Sequence, residues 1–180
     1  MIEQMIRFPI APEELDRLRT LLPSSKPSRP YAFIYGHGLW NDLDLQATLD
    51  WLDLILETTI KQAPWLSPPA LNTPDSNNHA HHRRKRKTET GFWPRLFLTP
   101  NACGKEKPDE WIQSQGNKAL MIFEESVGVE VRKRGLEHLG TWNATIQANK
   151  FDGVHVDLKG NLIKAMMVMN WLNMLEVEKF

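Results

Sequence analysis

Asp152-Gly153-Val154-His155 combines the two groups from which a proton-transfer pair is built. An imidazole with an unperturbed pKa of about 6.5 takes and returns a proton at neutral pH, so His155 is the natural general base. A carboxylate three residues earlier, brought round by a glycine, can bond one ring nitrogen. It then orients the ring and stabilises its cation, as the Asp of a hydrolytic triad does. The same tetrapeptide also suits a structural Asp–His turn or a surface pair. Asp157 adds a second carboxylate, but no further histidine is near it in sequence and no metal set is assigned.

His37-Gly38-Leu39-Trp40-Asn41-Asp42 is the second constellation. The backbone N–H of Gly38 and the side-chain amide of Asn41 can form an oxyanion hole, in which one donor is typically worth ~3–4 kcal/mol of transition-state stabilisation. The plainer reading is a strand-end turn followed by an Asp helix cap. A nucleophile is harder to find. Ser24, Ser25 and Ser28 lie in a Pro-rich segment, and Ser67, Ser76, Ser114 and Ser126 come later, in settings unlike a strand-to-turn nucleophile. None is assigned.

These groups need a scaffold, and hydrophobic periodicity supplies one. Residues 12–22 read as a short amphipathic helix, with Pro12 first and Glu13 and Glu14 at its positive end. Residues 23–30 read as a Ser- and Pro-rich linker, and residues 31–35 as a strand ended by Gly36-His37-Gly38. Asp42 or Asp44 can cap the next helix, whose Leu45, Leu49, Leu52 and Leu56 share one face before Pro64 stops it. Residues 95–99 form a second strand. Pro108 starts a short helix through Trp111, and Leu120, Phe123, Val127 and Val131 mark a longer one from Asn117 to near Gly135. Residues 138–142 are expected as a third strand and residues 161–175 as a terminal helix.

Short strands alternating with helices predict a parallel sheet with helices on both faces, and such sheets bind ligands at the carboxyl ends of their strands. Residues 36–42 and 142–155 both follow predicted strands, so both belong on that rim.

Composition sets the limits. The chain has 180 residues, enough for one domain with a real core, and a formal net charge of zero. That balance gives no support to a wholly nucleic-acid-binding protein. Cys103 is the only cysteine, which excludes an intrachain disulfide and a multi-cysteine zinc site. Residues 1–12 carry no signal-peptide pattern, and the apolar stretch 162–175 is shorter than the roughly 20 residues needed to span a bilayer. It is expected to be a buried helix, and the seven tryptophans are expected to serve mostly the core. The localisation is left open, and nothing calls for a cofactor. The basic run 83–87, within a polar loop insertion at 67–90, reads as a solvated insertion rather than a nucleic-acid patch, and His79, His81 and His82 beside it lack a carboxylate or thiol companion. Asn143-Ala144-Thr145 is a glycosylation triplet.

Gly38 with Asn41, and Asp152 with His155, in that order across alternating strands and helices, resemble the SGNH (GDSL-like) hydrolase superfamily. The text around them is similar to the fungal and plant branch called PC-esterase, related to trichome-birefringence-like O-acetyltransferases and capsule O-acetylation proteins. The resemblance covers roughly residues 31–176 and is carried by Gly38-Leu-Trp-Asn41-Asp, by residues 45–51, and by Asp152-Gly-Val-His155 through residues 161–166. It implies a three-layer α/β, flavodoxin-like parallel sheet and an acyl esterase or O-acyltransferase acting on carbohydrate-linked esters. His155 would be base, Asp152 its orienter, and Asn41 and Gly38 the oxyanion donors.

Two departures stand out. Gly38 and Asn41 are one residue further apart than the family's Gly-x-Asn-Asp form. The Gly-Asp-Ser block that carries the family's nucleophile after its first strand has no counterpart here. The expectation is therefore a partial domain lacking its N-terminal strand, either cut from a larger esterase-like protein or a non-catalytic relative kept for binding. Exposed sheet edges and unburied helix faces should then promote self-association.

Overall fold

The computed structural model describes residues 7–25, 31–66 and 93–177. Ser28, Ser67, Ser76 and the histidine- and arginine-rich stretch 79–87 lie outside the described residues.

The first four helices form where the sequence pattern directs. Helix α1, Pro12–Leu21, opens on Pro12 with Glu13 and Glu14 in its first turn. Helix α2, Leu45–Gln62, is capped by Asp44, whose carboxylate accepts the Ala47 N–H at 2.9 Å. That satisfies one of the orphan donors of the first turn. Helices α3, Asp109–Gln115, and α4, Asn117–Lys133, meet at Gly116. Gly135, with φ of 76°, takes the left-handed conformation that lets the chain turn back after α4.

The strands are β1, Phe33–Gly36, β2, Arg95–Leu98, and β3, Glu137–Leu139. They form one sheet in the order β1-β2-β3, both pairings parallel, with Tyr35 opposite Phe97 and Phe97 opposite His138. The protein is α/β. One sheet face meets α1, α2 and α4 in a core that includes Leu18, Tyr35, Leu52, Phe97, Val127 and Val131. Leu52, Phe97, Val127 and Val131 are fully buried. Helix α1 and Ile10 share this core, so residues before the first strand pack as part of it. On the opposite face Ile34 is 45% exposed, because successive strand residues alternate faces and nothing covers the β1 edge there among the described residues.

Four expectations need correction. Trp142 does not end a strand. It opens a short helix α5, Trp142–Thr145, because the Glu124 carboxylate accepts the Trp142 N–H at 3.0 Å and the Thr99 hydroxyl accepts the Thr141 N–H at 2.9 Å. The terminal helix α6, Leu158–Val177, starts three residues earlier than expected, since Asp157 accepts the Gly160 N–H at 2.8 Å and caps it. Nor is α6 a buried core helix. Trp171 is buried, but Leu162, Met166 and Met169 are exposed. The tryptophans divide likewise: Trp51, Trp93 and Trp171 are buried, while Trp40 and Trp111 are exposed. No helix among the described residues is long and apolar enough to cross a membrane.

Candidate active-site rim

All three strands run in one direction, so the segments after them meet at one rim. After β1 comes the turn from His37 to Asp42, after β2 the segment from Thr99 to Lys107, and after β3 the stretch holding α5 and the Asp152–His155 loop.

That loop is a tight reversal. Lys150 and Val156 pair as an isolated antiparallel bridge, and the Phe151 N–H donates to the His155 carbonyl at 3.0 Å. Inside it, Asp152 Oδ1 accepts the N–H of Val154 at 3.0 Å and of His155 at 2.8 Å. This is the local side-chain turn to which Asp is prone. The second carboxylate oxygen, Oδ2, stands 2.7 Å from His155 Nδ1. The His155 backbone N–H is the largest influence holding the Asp152 carboxyl down to about 2, followed by the His155 ring and the Val154 N–H. Both side chains are more than half exposed. Against a carboxylate, Nδ1 of the neutral ring carries the proton, leaving Nε2 as the basic nitrogen.

Gly153 is required by contact. A Cβ there would sit 2.3 Å from the Lys107 Cα, inside backbone that cannot give way. The loop is fixed to the segment after β2 by the Gly104 N–H donating to the Gly153 carbonyl at 3.0 Å.

The other constellation joins the same rim through residues with no motif. Buried Lys107 donates from Nζ to Gln115 Oε1 at 2.5 Å, and Gln115 Nε2 donates to Asp42 Oδ1 at 3.0 Å and to the Leu39 carbonyl at 3.3 Å. Burial lowers the Lys107 pKa, and the charges of Cys103, Asp42 and Asp152 counteract that shift. Lys107 and Gln115 thus link the turn after β1 to the Asp152 loop. Neither Lys107 nor Gln115 belongs to a motif, so the sequence alone does not mark them.

Within the turn, Gly38 has φ of 129°, a conformation that side chains rarely adopt, and a Cβ there would lie 2.6 Å from the Phe123 ring. Its carbonyl accepts the Asn41 and Leu43 N–H groups. The Asn41 side chain is engaged elsewhere: Nδ2 donates to the Phe8 carbonyl and Oδ1 accepts the Phe8 N–H, both at 2.9 Å. Arg7 lies 6.0 Å over the Trp40 ring, so residues 7 and 8 run across this turn. His37 is structural. It is buried, stacked on Trp51 with ring centroids 4.6 Å apart, and its Nδ1 is 3.0 Å from the Thr48 hydroxyl. Burial pushes its pKa down to about 4.

The structure therefore joins Asp152 to His155 directly and ties the turn that holds Gly38 and Asn41 to the Asp152 loop through Leu39 and Asp42, while the Asn41 amide is bonded to Phe8. Among the described residues, the His155 ring has Asp152 as its one hydrogen-bonding partner; no hydroxyl or thiol bonds Nε2. Ser114 belongs to α3 and Ser126 to α4. Asp157 is occupied as the α6 cap, and no cluster of three metal-ligating side chains occurs among the described residues. In the glycosylation triplet, Asn143 is exposed, while the buried Thr145 hydroxyl accepts the Ala102 N–H at 2.8 Å.

The class these features define is an α/β protein with an oriented Asp–His pair at the carboxyl rim of a parallel sheet. Comparison with protein-family models, curated proteins and solved structures gives no match.

Proposed function

We propose that this chain carries the acid–base half of an SGNH-like acyl-transfer site, that of an esterase or O-acyltransferase for carbohydrate-linked esters. His155 is the base and Asp152 its orienter. The observation that carries the reading is the 2.7 Å contact between Asp152 Oδ2 and His155 Nδ1, which leaves Nε2 bare at the strand-end rim. The substrate class rests on the resemblance of the Gly38–Asn41 and Asp152–His155 blocks alone. Oxyanion donation by Asn41 requires the Phe8 backbone to leave its amide; Gly38 is the second proposed donor.

A second reading, a non-catalytic binding module, is favoured by two observations. The Asn41 amide is spent on Phe8, and no nucleophile adjoins Nε2 among the described residues. Turnover of p-nitrophenyl acetate separates the two. The first reading predicts slow turnover that His155→Ala abolishes. Turnover unchanged in His155→Ala removes the site assignment, and turnover no greater than buffer favours the binding module.

A further inference from the structure

A buried charge is costly unless partners replace the water it has lost. Lys107, on the segment after β2, is only 8% exposed. Its backbone lies against Gly153, where an added Cβ would sit 2.3 Å from the Lys107 Cα. Its side chain runs from there to Gln115, which bonds the turn after β1. The ammonium thus stands between the two candidate segments of the rim. An ammonium has three N–H donors and no acceptor. Among the described residues Gln115 Oε1 is its one acceptor, at 2.5 Å, and that acceptor is neutral.

The acidic groups around it are engaged elsewhere. The charges of Asp42 and Asp152 act on Lys107, yet neither carboxylate bonds it. Asp42 Oδ1 accepts from Gln115 Nε2 at 3.0 Å. Asp152 gives Oδ1 to the Val154 and His155 N–H groups and Oδ2 to the His155 ring. The Cys103 thiol donates to the Gly104 carbonyl at 3.3 Å. Lys150, the other cation acting on Cys103, spends its ammonium on the Thr145 and Ala148 carbonyls at 2.9 and 3.0 Å. Lys107 therefore keeps two donors that the described residues leave unused, and its chain neighbours Glu106 and Pro108 are exposed, so the cover over it is thin. We infer that Lys107 is a carboxylate-binding subsite of this rim, its two remaining N–H groups taking the oxygens of a short acylate such as the acid released by ester cleavage. The choice of an acylate rests on the acyl-transfer reading. The preference for an anion rests on Lys107 itself, because burial penalises the charged ammonium and a carboxylate supplies both the opposite charge and the missing acceptors.

The test titrates the full chain with sodium acetate, the ionic strength held constant with sodium chloride. The carbon shift of Lys107 Cε in the unaltered chain is expected to move and to reach a plateau. Lys107→Met is expected to weaken acetate binding about tenfold or more, read from the Gly104 and Gly153 amide shifts, as loss of a charged hydrogen-bonding pair predicts. Lys133→Met, at an exposed lysine of α4, is expected to bind acetate as the unaltered chain does. If Lys107→Met does not fold, the Lys107 Cε titration of the unaltered chain still decides. An unmoved Lys107 Cε, an affinity that Lys107→Met leaves unchanged, or an equal response to chloride alone would each overturn the inference. Turnover of p-nitrophenyl acetate separates it from the reading it rests on. Acetate bound at Lys107 without turnover removes the acyl-transfer reading and leaves the carboxylate subsite. Turnover that requires His155, with Lys107 Cε unmoved by acetate, keeps that reading and removes the subsite.

Discussion

The side-chain amide of Asn41 is bonded at both ends to the backbone of Phe8, at 2.9 Å each way. The two residues are 33 positions apart, so this pairing closes the N-terminal segment over the turn that follows β1. Asn41→Ala leaves a partly buried N–H and carbonyl unpaired, and should cost about 1–3 kcal/mol. Urea denaturation checks this. A midpoint equal to that of the unaltered chain would show that the pairing contributes nothing.

Gly153→Ala pushes a methyl group into the Lys107 backbone. The expected cost is about 1–3 kcal/mol from overpacking, with the Asp152 loop displaced. The amide shifts of Val154 and His155 should move in a heteronuclear spectrum, since both N–H groups donate to Asp152 Oδ1. Unmoved shifts would mean the loop does not lean on Lys107.

Much of this arrangement was legible in the sequence because it is local. Leu120, Phe123, Val127 and Val131 are buried as their spacing predicts, Asp44 caps α2, and the two candidate segments follow parallel strands to a common rim. Asp152 and His155 could be paired from sequence because three residues and a glycine suffice to bring them together. Contacts between distant segments left no local mark: Asn41 with Phe8, and the Lys107–Gln115 relay to Asp42. Helix α6 misled because apolar composition reports a need for burial without naming what fulfils it.

The Asp152 carboxyl should titrate at about 2. Its depressed pKa stabilises the folded chain above the unfolded value of about 3.9, and that contribution is lost as pH falls through the folded value. Carbon-detected titration of the side-chain carboxyl is the measurement. A midpoint near that of a free aspartate would mean that the two N–H donors and the ring do not hold it.

His37 gives a second pH dependence at higher pH. Its folded pKa of about 4 lies below the unfolded value of 6.5, so the unfolded chain takes the proton first. Stability from keeping this ring neutral is full above the unfolded value and declines as pH falls toward the folded one. Denaturation midpoints measured across that window should fall with acidity, and His37→Gln should flatten the slope. An unchanged slope in the variant would assign the effect to another group.

Asp152 fixes the His155 ring with Nε2 bare, and the role of His155 as an oriented base depends on this. Long-range proton–nitrogen correlation spectra of the neutral ring, taken at about pH 8 to lie above the ordinary histidine pKa, read this directly. The prediction is a proton on Nδ1 and a bare Nε2, with Asp152→Asn shifting the ring toward the Nε2–H form. A ring protonated at Nε2, or a tautomer that Asp152→Asn leaves unchanged, would contradict the assignment of His155 as an oriented base.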